Sequence, residues 1–196
     1  MFPLPPEIIA RIIEQLSDSK SDLLSCSLIC RGWLPFARNN LEIYIHPHSS
    51  STFIELLASP TNTLGTTLRH LDLLNLNGLL RGPLYQVLTM LSSLRYLALW
   101  ATVGVELPAL PWLTRLSLCG TEFASYSGFA TFMSNLPALQ NLEFMHVTWA
   151  AGPDDDQYTF PTLDLLSLYL YWGPTQPIRT ILFGLRTRNL VLDFPS

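Results

Sequence analysis

A leucine spacing that keeps returning leaves this chain little freedom in how it can fold. It reads Leu68-x-x-Leu71-x-Leu73, Leu94-x-x-Leu97-x-Leu99, Leu113-x-x-Leu116-x-Leu118, Leu139-x-x-Leu142-x-Phe144 and Leu163-x-x-Leu166-x-Leu168, closing with Leu190-x-Leu192. The middle leucines are separated by 26, 19, 26, 24 and 24 residues. Successive side chains of a strand point to opposite faces, so Leu71 and Leu73 share one face while His70, Asp72 and Leu74 share the other. A single strand of this kind cannot cover its own leucines, whereas strands stacked side by side close one another's apolar face.

These steps fall at or just below the 20 to 29 residues typical of leucine-rich repeats, and 40 leucines in 196 residues suit that architecture. The expected fold is an α/β solenoid. A short three-helix unit occupies residues 1–40, and an irregular leucine-rich-repeat array with a parallel concave sheet fills residues 41–196. Leu41, Ile43 and Ile45 alternate with Glu42 and Tyr44, which predicts a strand that begins the array. Helical character recurs at 51–59, 84–91, 129–136 and 178–185. The 19-residue step leaves little room for a helix, and Pro108 with Pro111 predicts an extended connection there. After each strand, Leu76, Thr102, Thr121, Val147 and Tyr171 stand where asparagine or cysteine is usual, which predicts irregular turns. The last residues carry no polar capping unit, so a shortened array and a fragment both fit.

Stacked in register, the outward residues form three columns. The first is His70, Tyr96, Arg115, Asn141, Leu165 and Asn189; the second is Asp72, Ala98, Ser117, Glu143, Ser167 and Val191. The third, Leu74, Trp100, Cys119, Met145, Tyr169 and Asp193, is mostly apolar and is expected to face solvent. An apolar stripe on a concave surface suits partner binding, with Trp100, Met145 and Tyr169 foremost and Tyr96, Arg115 and Glu143 beside them. Loops folding over the stripe, or repeats that simply tolerate it, are the alternatives.

The first forty residues have a different grain. Pro5 and Pro6 suit the first turn of a helix, Glu7 suits its positive end, and Ile8, Ile9, Ile12, Ile13 and Leu16 follow at helical spacing. Leu23, Leu24, Ser27 and Leu28 resume that spacing, and Trp33 with Ala37 marks a third short helical piece. So small a unit struggles to bury enough surface alone. Its residues Leu4-Pro5-Pro6-Glu7-Ile8, Ile12, Asp22-Leu23-Leu24, Cys30-Arg31 and Trp33 with Leu34 and Ala37 form a set. In that set the segment resembles the F-box, the adaptor-binding motif of SCF-type ubiquitin ligases. The resemblance implies docking on the adaptor subunit and, through it, on a cullin. By position it makes Leu4, Pro5, Ile8, Leu24, Ile29, Cys30 and Trp33 the adaptor-contacting or supporting residues.

Composition narrows the function further. Charged residues are 13% of the chain, net charge is −4, and no lysine or arginine track offers to neutralise phosphates, which argues against nucleic acid. No long apolar run or signal-like segment indicates membrane or export, and three cysteines build no disulfide framework. Cytoplasm or nucleus is the expected location. Cys26 and Cys30 lack the further ligands a metal site needs, and Asp154-Asp155-Asp156 fits a solvated insertion better than a cation loop. No catalytic motif appears and no cofactor is expected. The leading expectation is a non-catalytic substrate receptor of an SCF-type cullin-RING ligase, with the repeats holding a protein target. The alternative is an F-box-like scaffold that does not direct degradation.

Overall fold

A computed structural model of the protein describes residues 4–16, 19–29, 32–40, 42–59, 64–75, 82–149, 162–169 and 186–193. Helix α1, Pro6–Glu14, opens on Pro5 in an extended conformation, with Pro6 in the first turn where no amide donor is missed, Glu7 at the positive end and Arg11 at the negative end. Helices α2, Lys20–Ile29, and α3, Leu34–Asn39, follow. Ile9, Ile13, Leu23, Cys26 and Ala37 meet in a small buried cluster, against which Leu16, Trp33 and Phe36 pack.

Beyond α3 the leucine spacing takes over. Strand β1, Glu42–Ile45, leads through a 3-10 turn at Pro47–Ser49 into α4, Ser50–Ala58, and the short α5, Leu64–Thr67. Then come β2, His70–Leu74; α6, Pro83–Leu88; β3, Tyr96–Trp100; β4, Arg115–Cys119; β5, Glu122–Phe123; and α7, Tyr126–Ser134. The chain continues with β6, Asn141–Met145; β7, Thr148–Trp149; β8, Thr162–Tyr169; and β9, Arg186–Asp193. Helix α7 is started by Ser125, whose hydroxyl accepts the Gly128 amide at 3.0 Å. The expected helix at 178–185 and the acidic run at 154–156 lie outside the described residues.

Seven strands form one sheet in the order β1-β2-β3-β4-β6-β8-β9, and every described pairing in it is parallel. The register runs Leu71, Leu97, Leu116, Leu142, Leu166 and Leu190 across neighbouring strands, as the leucine spacing predicts. Ile43 extends that row to β1. The inward leucines are packed beneath by Phe53 and Leu57 of α4, Leu84, Val87 and Leu88 of α6, and Phe129, Phe132 and Met133 of α7. Phe129 adds edge-on or tilted ring contacts to Phe123 and Phe144. Residues 104–114, in the 19-residue step, form no helix but still bury Val105, Leu107, Leu110 and Leu113. Beside them a cavity of about 340 Å³ opens between α6 and α7, floored by Val105, Leu107, Phe123 and Phe132.

The turns correct one expectation. Those described after β2, β3, β4 and β6 share one conformation, although positions 102, 121 and 147 carry no asparagine, while positions 76 and 171 lie outside the described residues. Asn75, Ala101, Gly120 and His146 occupy equivalent positions after β2, β3, β4 and β6, all with φ between 49° and 60°. That conformation lets the turn amide reach the next strand: Asn75 donates to the Trp100 carbonyl, Ala101 to Cys119 and Gly120 to Met145, at 2.7–2.8 Å. The fully buried Thr121 hydroxyl donates to the Leu99 carbonyl at 3.4 Å and lies 3.5 Å from the Thr102 hydroxyl. Threonine therefore supplies backbone contacts that asparagine would otherwise provide. Two residues further on, β5 and β7 pair in a second short parallel ladder.

Leu116→Ala should lower unfolding free energy by about 3 kcal/mol in urea titrations, because the leucine is fully enclosed. Gly120→Ala should lose about 1 kcal/mol, since alanine resists the left-handed conformation at φ 60°, and Gly120→Asn should lose less.

Candidate functional surfaces

Two surfaces present side chains that folding leaves available. On the N-terminal helices, the alternation of helix faces separates two sets of aliphatic residues. Ile9 and Ile13 turn into the small core while Ile8 and Ile12, displaced by one position, remain 43% and 38% exposed. On α2, Leu23 and Cys26 are buried while Leu24 and Leu28 are 46% and 85% exposed. Leu4 and Pro5 are exposed as well. Of the expected adaptor residues, Leu4, Pro5, Ile8 and Leu24 are thus accessible, whereas Trp33 is half-buried against the helical core. The Ile29 side chain and Cys30 lie outside the described residues. Leu28 and Ile12 join this accessible set without being among the expected contact residues. Their four-residue spacing from Leu24 and Ile8 was the available signal.

The second surface is the face of the sheet turned away from the core. Its rows have the predicted membership: His70, Tyr96, Arg115, Asn141, Leu165 and Asn189 in one, with Asp72, Ala98, Ser117, Glu143, Ser167 and Val191 beside them. The third row contains Leu74, Trp100, Cys119 and Met145, continuing through the backbone of Tyr169. The expectation that this row faces solvent needs correction. Trp100 is exposed, but Leu74, Cys119 and Met145 are half-buried, and the Cys119 thiol donates to the Met145 sulfur at 3.4 Å. The Tyr169 side chain lies outside the described ones. Asp72, Ala98, Ser117 and Ser167 of the middle row are buried too. Neighbouring strands are only about 4.8 Å apart, so the long side chains of the flanking rows shield short ones between them.

The polar end of this face lies over β1, β2 and β3. Tyr44 donates its phenolic hydrogen to Glu42 Oε2 at 2.8 Å, and His70 Nδ1 lies 3.9 Å from Glu42 Oε1. The His70 and Tyr96 rings meet edge to face at 5.6 Å between centroids. The hydrogen bond to Glu42, followed by burial, pushes the Tyr44 hydroxyl up to about 12. Burial, then the nearby charges of Asp72 and Glu143, pushes Tyr96 to about 12. Burial lowers the pKa of His70, opposed by Glu42 and assisted by Arg115 and Arg69. Burial and then the Glu42 charge raise Asp72 to about 6, only partly offset by the polar Tyr44 hydroxyl nearby. Burial also raises Cys119, which disfavours its thiolate. At the far end of the sheet Arg188 pairs with Asp164 at 3.2 Å, and Arg115 and Glu143 belong to the open-face rows on β4 and β6.

Among the described residues no group of three or more histidine, cysteine, aspartate or glutamate side chains could hold a metal ion, and no helix is long and apolar enough to cross a membrane. His46 and His48 stack on one another across the 3-10 turn with ring centroids 5.4 Å apart. Residues 2–50 match the family described as F-box-like. The matched stretch contains α1, α2 and α3 together with β1. A search of curated proteins found no match to the chain.

The folded-state pKa of Asp72 lies above its unfolded value near 3.8, so the carboxylate is the disfavoured form in the fold. Its contribution to stability is most favourable below about pH 4 and declines as pH rises through about 6. Asp72→Asn should therefore raise unfolding free energy at pH 7.5, on the order of 1 kcal/mol after allowing for solvent screening. That gain should shrink towards pH 4 in parallel urea titrations.

Proposed function

We propose that the protein is a non-catalytic substrate-recognition subunit of an SCF-type cullin-RING ubiquitin ligase. The observation that carries this reading is the F-box-like match at residues 2–50, supported by aliphatic side chains that α1 and α2 leave in solvent. An aliphatic surface offered by a unit with so small a core suits docking to another subunit. Leu4, Pro5, Ile8 and Leu24 contact the adaptor in this reading, joined by Ile12 and Leu28. Trp33 acts from beneath by holding the helices together.

The remaining strands serve as a leucine-rich-repeat array whose open face holds the target protein. Trp100, Met145, Tyr96, Arg115 and Glu143 all belong to that face. The protein then contributes to ubiquitin transfer by proximity, bringing target lysines near a thioester carried elsewhere in the complex. It requires neither a cofactor nor a nucleophile of its own.

Co-purification from cells tests the assignment. Leu24→Asp with Leu28→Asp should remove adaptor and cullin together, by at least tenfold, while the far-ultraviolet spectrum and thermal midpoint stay close to those of the parent. Retained recovery of both partners would sink the receptor reading. If adaptor is captured but the half-lives of captured proteins do not change on depletion of the chain, it is instead a scaffold.

A further inference from the structure

We propose that the open sheet face over β1, β2 and β3 seats the ammonium or guanidinium head of a lysine or arginine side chain presented by a partner protein. The proposal rests on the substrate-receptor reading for the partner's role as target, but the chemistry of the seat is independent of it.

Asp72 is the central observation. Its neighbours Leu71 and Leu73 are fully buried in the core, so strand alternation directs Asp72 to the opposite face. The residue is 8% exposed, and its buried Oδ1 has no hydrogen-bond partner. Native folds seldom leave a buried carboxylate oxygen unsatisfied. Ion pairing or a charge-assisted hydrogen bond from outside would meet that need.

The surroundings favour a cation. Glu42 is paired in register with His70 on the strand carrying Asp72, and its charge is one cause of the raised Asp72 pKa. Neither carboxylate forms an ion pair with a lysine or arginine among the described residues. His70 reaches Glu42 at 3.9 Å, but burial disfavours its charged form. Tyr44 stands opposite Asp72 on β1 and Tyr96 diagonally from it on β3, adding aromatic rings that also attract cations. Access to the buried oxygen requires Tyr44, which is 45% exposed and bonded to Glu42, to move aside. Small Ala98, opposite Asp72 on β3, leaves the middle row without another long side chain at that point. An acidic or purely apolar partner group would leave the buried oxygen unsatisfied.

Acetylated and amidated pentapeptides test this directly, each carrying one lysine, arginine, norleucine or glutamate between glycines. They are titrated into the full chain at low salt and followed by aromatic NMR shifts. The lysine and arginine probes should saturate with shifts at Tyr44 and Tyr96, while norleucine and glutamate should not. Asp72→Asn and Glu42→Gln preserve shape and should each weaken the cationic probes at least tenfold without lowering the thermal midpoint. Equal binding of norleucine, absence of binding by either cationic probe, or undiminished affinity in both variants would overturn the proposal. Adaptor capture is measured on the same preparations. Cationic probe binding without adaptor capture rejects the receptor reading and retains the seat, whereas adaptor capture without probe binding does the reverse.

Discussion

The structure depends on one repeated act of burial: the leucines of each strand are covered by those of the next and by helices beneath. Leu71, Leu97, Leu116 and Leu142 lie in register across adjoining parallel strands and are almost completely withdrawn from water. Because side-chain direction alternates, a slip of one residue would expose an entire leucine face. That penalty holds the outward residues in rows as firmly as it holds the inward ones. Left-handed turn residues reinforce the stack, since the amides of Asn75, Ala101 and Gly120 bond to carbonyls at the ends of the following strands.

The N-terminal helices use the same separation of faces with a different period. Ile9 and Ile13 build the helical core, while Ile8 and Ile12 occupy the adjacent positions and remain accessible. Leu23 and Leu24 divide in the same manner on α2. Hydrophobicity alone therefore does not assign a head residue to folding or to binding. The packing of α2 and α1 against α3 makes that distinction, with Trp33 and Phe36 supporting the interior. Both sets lie within residues 2–50, the stretch that matches the F-box-like family.

On the sheet's open face, apolar and polar functions are distributed along its length. Trp100 belongs to the apolar row, whereas Glu42, Tyr44, His70, Asp72 and Tyr96 gather over the first three strands. The crowding that half-buries Met145 also withdraws Asp72 from water and raises its pKa. Shielding thus reduces the apolar stripe anticipated by strand alternation and creates an electrostatic feature that alternation alone does not reveal.

Which residues share each row is legible from the leucine spacing alone. Leucine spacing identified the register, and the two periodicities distinguished the helices from the strands. Local chemistry also foresaw the extended 19-residue connection, where Pro108 and Pro111 accompany the absence of a helix. It did not foresee the shared turn conformation, because Ala101 and His146 adopt a conformation more typical of glycine or asparagine. Nor did it separate Trp100 from the half-buried Met145, or identify the unpartnered oxygen of Asp72. Side-chain direction follows from covalent geometry and is legible one strand at a time. Accessibility and pKa depend on what neighbouring strands place above and beside each group, which is fixed only when the strands pack together.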